Sequence, residues 1–236
     1  MRKRKYLIGA SLGVLGALVV SGTALAGVPT GQTLNAHVSP TKVKPNTPAT
    51  IHNIIATTYS DFNASPSAKE TKFSIAKGVT LANGNAPTCA QTTLQAATTT
   101  TAVQSACGKA VVGSGTADVN NKTGVFTQPN PVLLVKGGPT TLFVWVRIAN
   151  ALTLALNGQY AKGPNTLDVT GLPNVPNTDL TNFDTTFLKA GKQSYVKATC
   201  KKGKWVSSET TSFYPSSSGA TPPPITATSK QKCKAL

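Results

Sequence analysis

The chain has 236 residues and a formal net charge of +16, with 23 Lys and Arg against 7 Asp and Glu. Its length allows one large all-β domain or two smaller domains. After residue 26 every positively charged residue except Arg147 is a lysine. Because bidentate contacts to bases and phosphates rely on arginine, this composition argues against nucleic acid as a partner. It favours a solubilising charge with weak attraction to anionic polymers or lipid head groups.

The first 26 residues have the layout of a secretory signal peptide. Residues 2–5 are positively charged, residues 7–20 form an apolar run, and small residues precede a cleavage point after Ala26. The apolar run is shorter than the ~20 residues that span a bilayer, so an uncleaved anchor is the less favoured alternative. We therefore expect a secreted chain over residues 27–236, with no transmembrane span, that stays outside the cell or at its envelope.

Turn residues are frequent in the rest of the chain and Thr, Asn and Ser are abundant, which is typical of an all-β protein. Alternating apolar side chains predict strands over residues 33–39, 49–59 and 71–75. Prolines between the first two of these predict a loop, because proline donates no hydrogen bond to a strand ladder.

One short helix is predicted near residues 89–97, with Thr88 in the N-cap position. The four threonines at 98–101 disfavour its continuation, because β-branched side chains lose rotamer freedom in a helix. A strand is then predicted over residues 110–120, in which Gly113 and Gly115 mark a bulge or a close approach of two backbones.

The most apolar stretch after the signal peptide, residues 131–160, predicts the centre of the sheet. Between Leu142 and Ile148 the two faces of a strand are both largely apolar, with Phe143 and Trp145 on one of them. A second alternating run begins at Leu152. Neighbouring strands of this kind need a covering layer, which indicates a packed sandwich.

Downstream strands are predicted over residues 166–170, 183–188, 193–199, 205–213 and 225–233, and residues 172–182 and 216–224 are predicted to be loops. We expect 166–170 to pair with the strand before it, and 193–199 to form a hairpin with 205–213. The predicted fold class is an all-β antiparallel sandwich, Ig-like or related, in a single domain over 27–236. Two Ig-like halves that divide near residues 124–131 are the alternative. The predicted number of strands in the whole domain is about nine to twelve.

Four cysteines in an exported chain predict two disulfides, for which three connectivities are possible. Pairing of Cys89 with Cys107 and of Cys200 with Cys233 is favoured, because it requires no crossing of the central strands. No C-x-x-C spacing occurs, and both histidines are distant from the cysteines in sequence. The cysteines are therefore predicted to brace the fold and not to carry redox or metal chemistry.

An ordered set of short motifs accompanies the cysteines: PTC at 87–89, Leu94, AC at 106–107, GSGTA at 113–117, KW at 204–205 and KQKC at 230–233. This set resembles a group of secreted actinobacterial proteins of unknown function, and the resemblance covers most of the chain after the signal peptide. It implies paired cysteines and a β-sandwich, and it implies no catalytic residue.

Catalytic patterns are weak in this sequence. Ser114 lies in GSG, which lacks the spacing of a nucleophile elbow, and His37 and His52 lie in predicted strands. Any two of the seven acids could meet in space as a glycosidase pair, so a secreted hydrolase with paired carboxylates is kept as an alternative. No cofactor is indicated.

Calcium is the ion that the sequence fits best. Carboxylate and amide oxygens are concentrated in one region, with Asp168, Asp179 and Asp184 as the candidate acids and three asparagines among them. The favoured interpretation is nevertheless that these are ordinary turn residues, which hydrogen-bond to their own backbone.

The sequence therefore predicts a secreted, non-enzymatic protein with a structural or binding role at the cell envelope. The expected partner is an anionic cell-wall polymer or a glycan. A carbohydrate-binding module is the alternative, with Trp205, Tyr195 and Tyr214 as exposed rings on which a sugar could stack. The sequence indicates neither the ligand nor the oligomeric state.

Overall fold

The fold is described from a computed structural model of the chain. The predicted signal peptide lies outside the described residues. The structure describes residues 29–59, 66–81, 86–121, 124–125, 129–149, 151–163, 165–174, 178–188, 194–216 and 219–236.

The described chain is mostly β-sheet. The strands are β1 (Pro29–Ser39), β2 (Lys42–Val43), β3 (Thr47–Tyr59), β4 (Ala68–Ser74), β5 (Val79–Leu81), β6 (Val111–Asn121), β7 (Gly124–Val125), β8 (Asn130–Lys136), β9 (Thr141–Ile148), β10 (Leu152–Ala161), β11 (Thr166–Thr170), β12 (Thr178–Phe187), β13 (Val196–Ala198), β14 (Lys204–Phe213), β15 (Ile225–Lys232) and β16 (Lys234–Ala235). The helices are α1 (Gln91–Ala96) and α2 (Thr100–Cys107), followed by a 3-10 turn at Gly108–Ala110. Among the described residues, no helix is long and apolar enough to cross a bilayer.

Fourteen of the strands form one antiparallel sheet, which confirms the all-β prediction. The order is β15-β14-β4-β11-β10-β9-β8-β6-β12-β3-β13-β5, with β1 paired to β3 and β7 to β6. A separate parallel pair joins β2 to β16. Strands that precede residues 124–131 in sequence alternate in this order with strands that follow them, so the sheet does not separate into an N-terminal and a C-terminal half.

The sheet folds over so that one face is turned inward, as in a sandwich. Inward side chains of β1 and β3 (Leu34, Ile55) pack with Phe73 of β4 and Ala227 of β15, from the opposite end of the strand order. Strand β1 also closes the gap to β15 through hydrogen bonds. The backbone N–H groups of Ala36 and Val38 donate to Ser229 Oγ (3.0 Å) and Gln231 Oε1 (2.7 Å).

Strands β8, β9 and β10 confirm the predicted centre of the sheet. Their inner side chains join the main core, whereas the outer side chains of β8 and β9 are covered by α1 and α2. Trp145 is fully buried under α1, and its Nε1–H donates to Leu94 O at 3.1 Å. The two helices thus form the layer that covers the outer apolar face of β9.

The helical segment differs from the prediction in two respects. Helix α1 lies where one helix was expected, but its N-cap is Ala90 and not Thr88. A second helix, α2, begins inside the threonine run that was expected to prevent it. The Thr99 side chain accepts a hydrogen bond from Ala102 N at 3.1 Å, which satisfies one of the free N–H groups at the helix start. Threonine serves here as a cap.

Two strand predictions were also wrong. The segment 193–199 does not form a hairpin with β14, because β13 pairs with β3 and β5 instead. The region 172–182 is not a loop throughout, since β12 begins at Thr178. The number of strands exceeds the predicted nine to twelve, mainly because short strands such as β2 and β16 carry no periodic signal.

The two glycines of β6 have the predicted close backbone contact. A Cβ atom at Gly115 would collide with the backbone of Asp184 and Thr185 in β12, and one at Gly113 would meet Thr186 O at 2.7 Å. The β6–β8 register also shifts between Val111 and Gly113, as expected for a bulge.

Candidate functional site

The two disulfides have the favoured connectivity. Cys89 pairs with Cys107 (Cα–Cα 5.3 Å) and Cys200 pairs with Cys233 (Cα–Cα 5.8 Å), so all four cysteines are used. The first bridge closes the helical segment, because it joins a residue just before α1 to the last residue of α2. The second joins the start of β14 to the end of β15. Such pairing indicates an oxidising compartment.

Around the second disulfide the fold gathers lysines from three parts of the sequence. The β14–β15 register places Lys204 opposite Lys232, and the β2–β16 register places Lys42 opposite Lys234. We call this region the lysine-rich end. It consists of the exposed side chains of Lys42, Lys44, Lys201, Lys202, Lys204, Lys230, Lys232 and Lys234.

Among the described residues, no salt bridge neutralises the charge of the lysine-rich end. In the described part of the chain the salt bridges given by the structure are His52–Asp184 (2.7 Å) and Lys72–Asp168 (3.5 Å), both elsewhere on the sheet. Like charges that face each other across two strands repel, as at Lys204 and Lys232. An anion bound at this end would relieve that repulsion.

The folded sheet also forms a partly open cavity of about 180 Å³. Inward side chains of most strands line it, and they are predominantly apolar, including Leu34, Ile55, Phe73 and Val144. Sequence reasoning missed this cavity. The alternation along each strand shows which residues share a face, but not that strands distant in sequence close around one space.

A polar cluster interrupts the apolar lining where β1 meets β14. Gln32 Nε2 donates to Thr211 Oγ1 at 3.0 Å, and Thr211 Oγ1 donates to Glu209 Oε1 at 3.4 Å. Glu209 is only 2 % exposed. Two oxygen atoms of this cluster, Glu209 Oε2 and Gln32 Oε1, have no hydrogen-bond partner.

Burial raises the pKa of Glu209 from 4.5 to about 8, and the hydrogen-bonding groups of Thr211 and Gln32 offset only part of this effect. The carboxyl group of Glu209 is therefore neutral at pH 7. Tyr59 is the other titratable residue of the lining. Burial, with a smaller contribution from the charge of Asp179, raises the pKa of its phenol, so it stays neutral as well.

Two of the three rings proposed for sugar stacking are not at the surface. Trp205 is 2 % exposed and donates from Nε1 to Thr199 O at 3.2 Å. Tyr195 is 4 % exposed and stacks on Phe187. Tyr214 is half-buried, with its hydroxyl donated to Leu172 O at 2.8 Å. Exposure was wrongly expected for Trp205 and Tyr195, because β14 turns Trp205 toward the core and Tyr195, just before β13, packs against Phe187.

The three acids proposed for calcium lie in strands and are not brought together. Asp168 is on β11 next to Lys72, whereas Asp179 and Asp184 are on β12, and four strands separate β11 from β12 in the sheet. Asp184 contacts His52 at 2.7 Å. No group of three or more His, Cys, Asp or Glu side chains in the described ranges is arranged to hold a metal ion.

Within the described ranges the remaining acids do not form the carboxylate pair that was kept as an alternative in the cavity. Among the described residues that line the cavity, Glu209 is the one carboxylate, whereas glycoside hydrolysis uses a pair. Arg147 Nη1 donates to Ala151 O (3.0 Å) and to Thr153 Oγ1 (2.7 Å). The lysine-rich end and the cavity are therefore the features on which a function can be argued.

Comparison of the chain with models of known protein families, and with curated proteins, gives no match.

Proposed function

We propose that this chain is a secreted binding protein that attaches to an anionic polymer of the cell envelope through its lysine-rich end. The observation that carries the proposal is the gathering of eight exposed lysines, from three separate parts of the sequence, around the Cys200–Cys233 bridge. Secretion is supported by the signal-peptide pattern and by the use of all four cysteines in disulfides.

The surface charge suits a repetitive, flexible anion better than a single compact ligand. Lysine is a hydrated point charge on a long stem, and it does not require the fixed fork geometry that arginine uses for bidentate contacts. Each exposed ion pair contributes only ~0.2–1 kcal/mol. Useful affinity therefore requires several contacts at once, which a polymer with many negative groups provides.

A matched pair of variants tests this proposal. One variant carries Lys202→Gln, Lys230→Gln and Lys232→Gln in the lysine-rich end; the other carries Lys69→Gln, Lys109→Gln and Lys162→Gln, which are exposed lysines elsewhere. Co-sedimentation with purified cell walls gives the affinity of each. We expect about a tenfold loss in the first variant, from three contacts of ~0.5 kcal/mol, and little change in the second.

Rising salt concentration should weaken the binding of the wild-type chain, because exposed charges are screened. Equal losses in the two triple variants, or binding that is insensitive to salt, would contradict the proposal. Sequencing of the protein from the culture medium tests export separately, and Gly27 is the expected first residue.

A further inference from the structure

The cavity has the size of a small-molecule site. An engineered protein cavity of about 150 Å³ with an apolar lining stays dry and holds benzene. The cavity of this chain is slightly larger, at about 180 Å³, and most of its lining is also aliphatic or aromatic. It can therefore accommodate a molecule with one ring, or a short hydrocarbon chain, and a small polar group.

The polar cluster specifies what that polar group should be. Within the cluster Gln32 Nε2 donates to Thr211 Oγ1 and Thr211 Oγ1 donates to Glu209 Oε1, while Thr71 Oγ1 lies 3.4 Å from Thr211 Oγ1. No hydrogen bond reaches Glu209 Oε2 or Gln32 Oε1, and once Glu209 is ionised both atoms are acceptors. A group that only donates hydrogen bonds is complementary to them, and a primary ammonium has three donors and no acceptor.

We infer that the cavity binds a small apolar primary amine, whose ammonium group is held by Glu209 and Gln32 while its hydrocarbon part packs against the aliphatic lining. The site is distinct from the lysine-rich end and does not depend on the function proposed for that end. A sugar would bury several hydroxyl groups against apolar side chains.

Charge balance requires that binding releases a proton. Burial keeps the carboxyl group of Glu209 protonated near pH 7 before an amine binds. When R–NH₃⁺ enters, its positive charge stabilises the carboxylate, and the proton of Glu209 passes to the buffer. The residues opposite Glu209 on the neighbouring strands are Phe73 of β4 and Ala227 of β15, and neither titrates. Among the described lining residues only Tyr59 also titrates, and it stays neutral.

The test uses n-hexylamine and hexan-1-ol, which have the same number of non-hydrogen atoms but differ in charge. Isothermal titration calorimetry at pH 7 should show that the folded wild-type chain binds hexylamine at least tenfold more tightly. Titrations in phosphate and in Tris, which differ in ionisation enthalpy, should show the release of nearly one proton per amine bound. Equal affinity for the two probes, binding of neither, or no proton release would overturn the inference.

Glu209→Gln keeps the shape of the side chain but removes its charge, and Glu70→Gln is the same change at a residue outside the cavity lining. We expect Glu209→Gln to lower the affinity for hexylamine at least tenfold and to change that for hexan-1-ol less than twofold, whereas Glu70→Gln changes neither. Ala117→Phe, which fills part of the cavity, should weaken both probes. If Ala117→Phe does not fold, the Glu209→Gln and Glu70→Gln pair still decides the outcome. Equal effects of those two variants would refute the assignment.

Discussion

Two walls of the same sheet use their faces in different ways. In the wall formed by β8 and β9 both faces are apolar, one toward the cavity and the other toward α1 and α2. In the wall formed by β14 and β15 the outer face carries lysines, and the inner face of β14 carries Glu209 and Thr211. Both candidate sites therefore belong to the second wall.

The two walls differ in whether the burial of a side chain stabilises the fold. Burial of Trp145 does, whereas burial of Glu209 does not. Burial of Trp145 removes a large apolar surface from water, and its one polar group has a partner. Burial of Glu209 costs free energy, and one of its oxygens has no partner. An aliphatic residue at position 209 would avoid that cost. A polar group in such a place is better explained by a ligand than by the fold.

The largest expected effect is in the β8–β9 wall. Trp145→Ala should lower the free energy of unfolding by about 3–5 kcal/mol, because it leaves a cavity under α1 and removes the hydrogen bond to Leu94 O. Urea denaturation followed by circular dichroism measures the loss. Val206→Ala, at a side chain that is 40 % exposed on β14, is the control and should cost less than about 0.5 kcal/mol. A loss below about 1 kcal/mol for Trp145→Ala would show that the helical layer contributes little.

The next effect concerns Glu209 and the pH dependence of stability. Its pKa in the folded chain, about 8, lies above the ordinary value of 4.5. Below pH 4.5 both the folded and the unfolded states carry the proton. Between pH 4.5 and pH 8 only the folded state keeps it, so stability falls as the pH rises, and above pH 8 the dependence ends.

The comparison of wild type with Glu209→Gln isolates this contribution. Between pH 5 and pH 8 the wild-type chain should lose about 3 kcal/mol relative to the variant, at up to ~1.4 kcal/mol per pH unit. Urea denaturation at several pH values gives the difference. Parallel curves for the two chains would mean that Glu209 titrates normally and that the inner face of β14 is open to water.

The smallest effect is on the outer face of the same wall. Lys232→Glu converts the repulsive pair with Lys204 into an attractive one and should raise the free energy of unfolding by about 0.5 kcal/mol at low salt. High salt should remove the gain, because the residues are exposed. Lys162→Glu, in the turn between β10 and β11, is the control. A gain of equal size in that control would show that reduced net charge, and not the cross-strand pair, is responsible.

The part of the fold that could be predicted is the part with local periodicity. Strands β8, β9 and β10, the pairing of β10 with β11 and the sequential disulfides all follow from short stretches of sequence. The pairing of β13 with β3 could not be predicted, because three residues carry too little pattern to identify a partner more than 140 positions away. Helix α2 was missed because Thr99 acts as a cap, a role that propensity alone does not show.

Only part of each candidate site could be predicted from the sequence. The lysine groups at 201–204 and 230–234 could be seen in the sequence, but their union with Lys42 depends on the β2–β16 pair. Glu209 lies in the middle of β14 among serines and threonines, although Trp205 and Phe213 share its face. The polar residues between those two aromatic residues obscure the pattern that turns position 209 inward.

The sequence by itself determined the all-β character, the export pattern, the excess of lysine and the set of residues that form the central strands. These follow from properties of neighbouring residues. Only the tertiary structure decided that β1 meets β15, that the lysines gather at one end and that a carboxyl group is enclosed with an apolar cavity. The physical reason is that each of these depends on contacts between strands that are distant in sequence, which the pattern within any single strand does not encode.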